Sequence, residues 1–421
     1  MRKLLGILTL LLFTLFIKAQ NSKQPSHRLK VFIDCNNTWC DQNFIKTEIN
    51  IVDFLLDNQA ADLHILITEQ ETGGGGSQFQ LIFFGQNKFK QMTDTLRFNT
   101  DPIATDFEER DLLIKYLKLG LTPYIVKAGN GNDIAIEMKT KTDEKKKDTS
   151  TTNKDPWNYW VFRAGANGYM NADEVYKSSR VGANFAANRV TEELKVGFEA
   201  RGGKNRDSYY LEDSTGKQKI VNKNEDYNFQ HYLIKSITGH WSYGYQVELS
   251  RSSFSNNKGR LLFRTGFEYD IFPYKEVNTK FFTLSYTVDV RRNSYFDTTL
   301  YDKLKETLYG QSIEANLSFK QKWGTIEFGV DYHNYFHDWK YFNLSANGGV
   351  EIRITGGLSF NFYSFAELSR DQIYLPKEEA DITEVLTRRR QIASGYSFYT
   401  SFGLNYRFGS KLNNFVNPRF D

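Results

Sequence analysis

The chain is poor in cysteine and proline, has no strong charge bias, and has no long apolar run after its first residues. Among 421 residues there are 2 Cys and 7 Pro. Scarce proline suits a protein built largely of strands, because proline removes a ladder donor. Lys+Arg 54 against Asp+Glu 50 gives +4, a balance that argues against nucleic acid as a partner. Beyond position 17 no segment approaches ~18 consecutive apolar residues, so no membrane helix is expected there. What the chain does hold is aromatic: 15%, with Tyr 25 and Phe 34. Aromatics fit a pleated surface.

The first residues have the layout of an export signal. Met1-Arg2-Lys3 is basic, LLGILTLLLFTLFI (4–17) is a short apolar run, and Lys18-Ala19-Gln20 breaks it. A signal peptide over 1–19, cleaved near Ala19, is expected; a retained anchor is the alternative. No Cys follows the run, which argues against a lipoprotein. After export, Cys35 and Cys40 in CNNTWC are a disulfide candidate. No third Cys or His lies nearby for a metal site, and a CxxC redox pair is spaced more tightly.

Residues 29–138 read as a small α+β domain. LKVFIDC (29–35), DLHILITEQ (62–70), QFQLIFFGQ (78–86) and TDTLRFN (93–99) are strand candidates. Asp41 to Leu56 carries apolar residues at roughly helical spacing. A second helix spans 104–121, with Thr105 and Glu108 set for a capping box. TPYIVKA and NDIAIEMKT read as short strands after it. TGGGGS (72–77) reads as a mobile hairpin turn; it lacks the Lys and the strand–helix context of a phosphate loop. Residues 139–156, KTKTDEKKKDTSTTNKDP, read as a flexible linker.

From Trp157 to Phe408 the period becomes two. Phe282, Leu284, Tyr286, Val288 and Val290 alternate with Thr283, Ser285, Thr287 and Asp289, and similar runs recur. About twelve strands result, over 158–171, 178–190, 193–204, 226–238, 240–253, 259–272, 278–292, 306–320, 324–336, 341–355, 357–370 and 393–408. Period-two alternation decides which face meets which medium. The polar face carries Arg163, Lys195, Glu199, Arg201, Glu248, Arg264, Glu268, Asp289, Arg291, Glu314, Glu327, Asp331, Glu351, Arg353, Glu367 and Arg407. A soluble sandwich also alternates. Charges along a whole face, long strands, and short turns alternating with longer connections favour a transmembrane barrel, lipid-facing outside and polar inside. The expected fold is therefore a transmembrane antiparallel β-barrel of about twelve strands preceded by a small α+β periplasmic domain. The charged residues then face the lumen. Domain 29–138 and the tail 409–421 lie in the periplasm, and the barrel occupies 157–408.

Three resemblances follow. The element order of 29–138 loosely resembles the N-terminal domain of TolB-like proteins. The aromatic end of YSFYTSFGLNYRF (396–408) resembles the terminal-strand signal of Gram-negative outer-membrane barrels, which the barrel assembly machinery reads. Here thirteen residues follow Phe408, and a second Phe, Phe420, lies in NPRF. The whole layout resembles the outer-membrane barrel proteins of Bacteroidota with an N-terminal periplasmic domain. The resemblance implies location in the outer membrane, with lipid, the assembly machinery and a periplasmic protein bound by 29–138 as partners. Three functions stay open: a small-solute or ion channel or transport component, an anchor with a filled barrel, and an outer-membrane hydrolase. Outer-membrane phospholipases use Ser, His and Asn, and no local stretch matches their motif. His333 and His337, with Asp331 and Asp338, are the best local cluster. Four residues apart on a strand is ~13 Å, too far to share an ion without a turn. No cofactor is expected.

Overall fold

The first region is a sheet with helices on one face. In the computed structural model, residues 28–35, 38, 40–131, 134–135, 155–213, 216–355, 357–377, 394–410 and 412 are described. The signal segment 1–19, nearly all of the linker and most of the tail, with Phe420, lie outside them. The elements are β1 (Lys30–Cys35), α1 (Gln42–Glu48), β2 (Asp53–Phe54), β3 (Leu63–Glu71), β4 (Ser77–Gly85), β5 (Thr93–Asn99) and α2 (Asp106–Ile125). The strands order as β2-β1-β3-β4-β5. Thr105 and Glu108 close the capping box of α2. Its Leu113, Leu117, Leu121 and Tyr124 return at helical spacing and pack on Leu63, Ile65, Ile67, Leu81 and Phe83. Gly120 lets α2 approach: a Cβ there would overlap the Phe83 ring.

Two expected elements differ. The helix read over 41–56 stops at Glu48, capped at its start by the Asp41 side chain. Its continuation is claimed by the sheet edge: Asp53 N donates to Leu29 O at 2.9 Å and Leu55 N to Val31 O at 2.8 Å. Ile49 and Val52 still reach the same core, which is why their spacing looked helical. TPYIVKA is not a strand; α2 runs through Pro123 to Ile125, and a wider turn follows over Val126–Asn130. Tyr124 and Ile125 continue the buried face, which outweighs the one backbone bond Pro123 lacks. In NDIAIEMKT only 134–135 are described, without regular structure.

The second region is one antiparallel meander of twelve strands. It comprises β6 (Trp160–Ala172), β7 (Tyr176–Val190), β8 (Leu194–Asp213), β9 (Gly216–Ser236), β10 (Trp241–Ser252), β11 (Asn257–Asp270), β12 (Lys280–Tyr295), β13 (Lys305–Gln321), β14 (Gly324–Tyr335), β15 (Phe342–Arg353), β16 (Leu358–Ser369) and β17 (Tyr396–Tyr406). Among the described residues, β6 and β17 are each paired on one side only. Connections at one end, called the near end, include 191–193, 237–240, 322–323 and 354–357. The far end carries 296–304, 336–341 and 370–395. The stretch between the expected strands 193–204 and 226–238 is not a loop but ladder: β8 and β9 pair from Tyr209↔Ile220 to Asp213↔Gly216. Its polar sequence, without period-two alternation, hid it.

Register separates the faces cleanly. Phe198, His231, Val247, Phe263, Val290 and Tyr309 lie in one cross-strand row. That places Tyr227, Phe229, His231 and Leu233 of β9 on the apolar face, although Tyr232 and Ile234 on its other face blur the alternation in the sequence. The apolar face is uncovered: Phe263 is 42% exposed, Phe267 57% and Phe402 79%. The other face is concave. One cavity is lined by Asn167 of β6 and Tyr335 of β14 together. Strands eight apart in a flat sheet would stand about 38 Å apart, so the sheet curls toward its charged face.

Candidate functional site

Fifteen of the sixteen charged residues expected to line a lumen lie within strands, and register sets all fifteen on the concave face. Arg163↔Ala186, Ala186↔Glu199, Glu199↔Gln230 and Gln230↔Glu248 connect the first strands. Arg264↔Asp289, Glu268↔Ser285, Glu314↔Asp331, Asp331↔Ser345 and Ser345↔Glu367 carry the pattern on. Lys195 and Arg201 share the parity of Glu199, Glu327 that of Asp331, and Glu351 and Arg353 that of Ser345. Arg407 stands just beyond β17. Not all of these residues face open space. Arg163 reaches Glu71 of β3 at 3.8 Å, and Arg353 grips Asp34 of β1.

Those two contacts belong to a seam between the regions. One face of the five-stranded sheet packs α2; the other presents Phe32, Asp34, His64, Gln80, Ile82 and Phe84 to the near end. Asn278, in the β11–β12 turn, donates to Gln80 Oε1 at 3.0 Å. Lys322, in the β13–β14 turn, lies 4.6 Å from the Phe84 ring centre. Arg353 lies over Phe32 at 5.2 Å. Leu55 bridges to Leu412, beyond β17. At the opposite edge the glycine turn meets β6 and β7. A Cβ on Gly73 would overlap Val190, and one on Gly75 (φ +83) would overlap Arg163. The turn expected to be mobile is pressed against the near end, and glycine is what allows the approach. One small region thus touches the meander from its first strand to the segment after its last.

At the centre of the seam is a buried charge cluster. Asp34 Oδ2 lies 3.1 Å from His64 Nε2, with side chains 2% and 1% exposed. His64 is flanked edge-on by Phe32 and Phe84. Burial pushes the Asp34 carboxyl up, but the hydrogen bonds and charges of His64 and Arg353 outweigh it and hold the carboxyl below its usual range. Beside it, Cys35 and Cys40 form a disulfide with Cα atoms 6.1 Å apart.

The far end is covered by the chain itself. Ile373, after β16, packs on Leu308, Tyr335 and Tyr341. Asn256 Nδ2 donates to Tyr374 O at 2.9 Å, and Leu300 N donates to Leu375 O at 2.9 Å. His333 and His337 are not brought together on an ion. His333 Nε2 is held by Asp289 Oδ2 at 3.1 Å and Arg291 at 2.7 Å. His337 stacks with Tyr341. Among the described residues no group of three metal-binding side chains occurs. Ser312 stands across from His333, yet the imidazole Nε2 is engaged by the ion network.

Sequence reasoning missed Asp34, His64, Phe32, Gln80 and Phe84. A signal was present: six consecutive residues of β3, Leu63 to Thr68, are buried. A strand apolar on both faces must be covered on both, and the helices cover only one.

No family model matches the chain, and no curated protein matches it. Solved structures do. A NanC porin matches over 58% of this chain and 99% of its own, with TM-score 0.28 and 9% identity. The translocator domain of the autotransporter NalP from Neisseria meningitidis matches over 59% and 87%, with TM-score 0.25 and 10% identity. CdiB from Acinetobacter baumannii matches over 90% and 74%, with TM-score 0.27 and 9% identity. Likeness at this level says nothing about what this chain carries or binds.

Proposed function

We propose that the chain is an outer-membrane β-barrel protein of a Gram-negative bacterium whose periplasmic mouth is occluded by its own α+β domain. The exposed apolar face, with strands of 11 residues or more, suits a spanning sheet, for which ~9–11 residues suffice. Within hydrocarbon every backbone group needs a partner, so β6 and β17 pair and close the sheet. An even strand number returns the chain to its starting side, and short turns belong to the periplasm. The near end is then periplasmic, and 29–138 sits across it. One observation carries the reading: the five-stranded region meets that end from Arg163 on β6, through Glu71, to Leu412 beyond β17, through Leu55.

The barrel is a transport component closed at rest. Planar-bilayer recordings of the full chain test this. Long closed intervals are expected, and Asp34→Ala or Arg353→Ala should raise the open fraction. Steady conductance from the unaltered chain would overturn occlusion. A second reading, a filled anchor, is favoured by Ile373 at the far end; silence from all three proteins, each folded, would select it.

A further inference from the structure

The concave face holds a cavity of about 780 Å³ toward the far end, roofed by Asp371, Ile373 and Tyr374. Its volume is within the ~300–1,000 Å³ of small-molecule sites. Its wall is largely polar, and six of its eight charged side chains are already engaged. Arg260 binds Glu248 at 2.9 Å, Arg251 binds Glu225 at 2.7 Å, and Arg291 binds Asp289 at 2.8 Å. The remaining carboxylates also have donors: Ser252 Oγ gives to Asp226 at 2.6 Å and Ser369 Oγ to Asp371 at 3.1 Å. Two lining guanidiniums, Arg180 and Arg201, have no ion-pair or hydrogen-bond partner among the described residues. Arg201 stands between Asn184 and Asn228 in the cross-strand row. Asn184 and Asn228 line the same wall, and their side chains make no hydrogen bond among the described residues.

Unpaired forked donors beside unpaired amides in one cavity define a complementary ligand. The guanidiniums call for an oxyanion, which each binds bidentately. The amides call for hydroxyls, since each carries an acceptor and two donors. We infer that this cavity binds a small hydroxylated carboxylate, its carboxylate on Arg201 and Arg180 and its hydroxyls toward Asn184 and Asn228. The inference rests on the wall of the cavity and not on the occluded mouth, so the Asp34→Ala recordings leave it untouched.

Titration calorimetry on the full chain in detergent tests it, with glucuronate as the probe. Glucose keeps the hydroxyls without the charge, and acetate keeps the charge without the hydroxyls. Saturable glucuronate binding is expected, at least tenfold tighter than either control. Arg201→Gln should weaken it tenfold or more, and Arg180→Gln with Arg201→Gln should abolish it. Asn228→Leu should weaken glucuronate and leave acetate unchanged. Rising salt should weaken glucuronate binding to the unaltered chain, a readout independent of any variant's folding. No saturable binding, equal binding of glucose, salt-independent binding, or unchanged binding in a folded Arg201→Gln protein would each overturn the site.

Discussion

Strands β3 and β17 are both rich in apolar residues and use them oppositely. In β3 the run from Leu63 to Thr68 is buried throughout. In β17 Phe398, Phe402 and Leu404 are 73%, 79% and 65% exposed. The difference lies in the pattern. β3 reads LHILI, apolar but for His64, and is covered by α2 on one face and the near end on the other. β17 alternates, so only one face is apolar, and nothing among the described residues covers it. Hydrophobic residues in the first case hold two parts of a protein together; in the second they are left as exposed surface, which the proposed function assigns to lipid.

The contrast predicts where substitutions hurt. Ile65→Ala removes a fully buried side chain from the α2 core and should cost about 4 kcal/mol. Hydrogen exchange should show β1, β3 and β4 losing protection while β6 to β17 keep theirs. Phe328→Arg, on the exposed apolar face of β14, should cost about 3 kcal/mol in vesicles. Ser345→Arg, on the opposite face between Asp331 and Glu367, should change stability by less than ~0.5 kcal/mol. Urea titration of vesicle-reconstituted protein reads both. Equal costs would mean that the apolar face does not meet lipid.

Much of this was legible. The twelve strands follow from alternation, because one face is apolar throughout and a slip of one residue would reverse it. The capping box of α2 was legible because its signal is local. What stayed hidden was long-range. Asp34 and Arg353 are 319 positions apart, and nothing near either names the other. Arg163 and Arg353 were read as lumen charges because parity fixes the face but not what stands in front of it. The edge strand β2 was hidden in a helical pattern, since residues entering one core from a turn can mimic a helix face.

Asp34→Ala probes the seam. It leaves His64 and Arg353 without their carboxylate; with Arg353 22% exposed, the loss of docking should be about 2 kcal/mol, below that of a fully buried pair. Limited proteolysis of the 28–131 region against the twelve-stranded sheet reads it. The pH dependence has a definite sign. The Asp34 carboxyl is held below its usual range when docked, so its contribution is complete above the ordinary carboxylate value of about 3.9. It is lost as pH falls through the depressed value. Docking should therefore survive pH 5 and weaken only in stronger acid, and Asp34→Ala should remove that acid-dependent step.

The smallest expected effect separates contact from latch. Lys322 stands over the Phe84 ring with no carboxylate partner among the described residues. Exposed cation–π pairs contribute about 0.5–1 kcal/mol. Lys322→Ala should therefore loosen docking by that amount, with no change in its acid dependence, because Asp34 and Arg353 remain paired. Lys322→Arg should restore it, since a guanidinium also stacks on an aromatic face. Were Lys322→Ala to undock the region as fully as Asp34→Ala, the seam would be a cooperative unit in which one peripheral contact governs the whole. Independent, unequal effects would instead make the Asp34–Arg353 pair the latch and the remaining contacts its alignment, as the burial of Asp34 and the exposure of the β13–β14 turn imply.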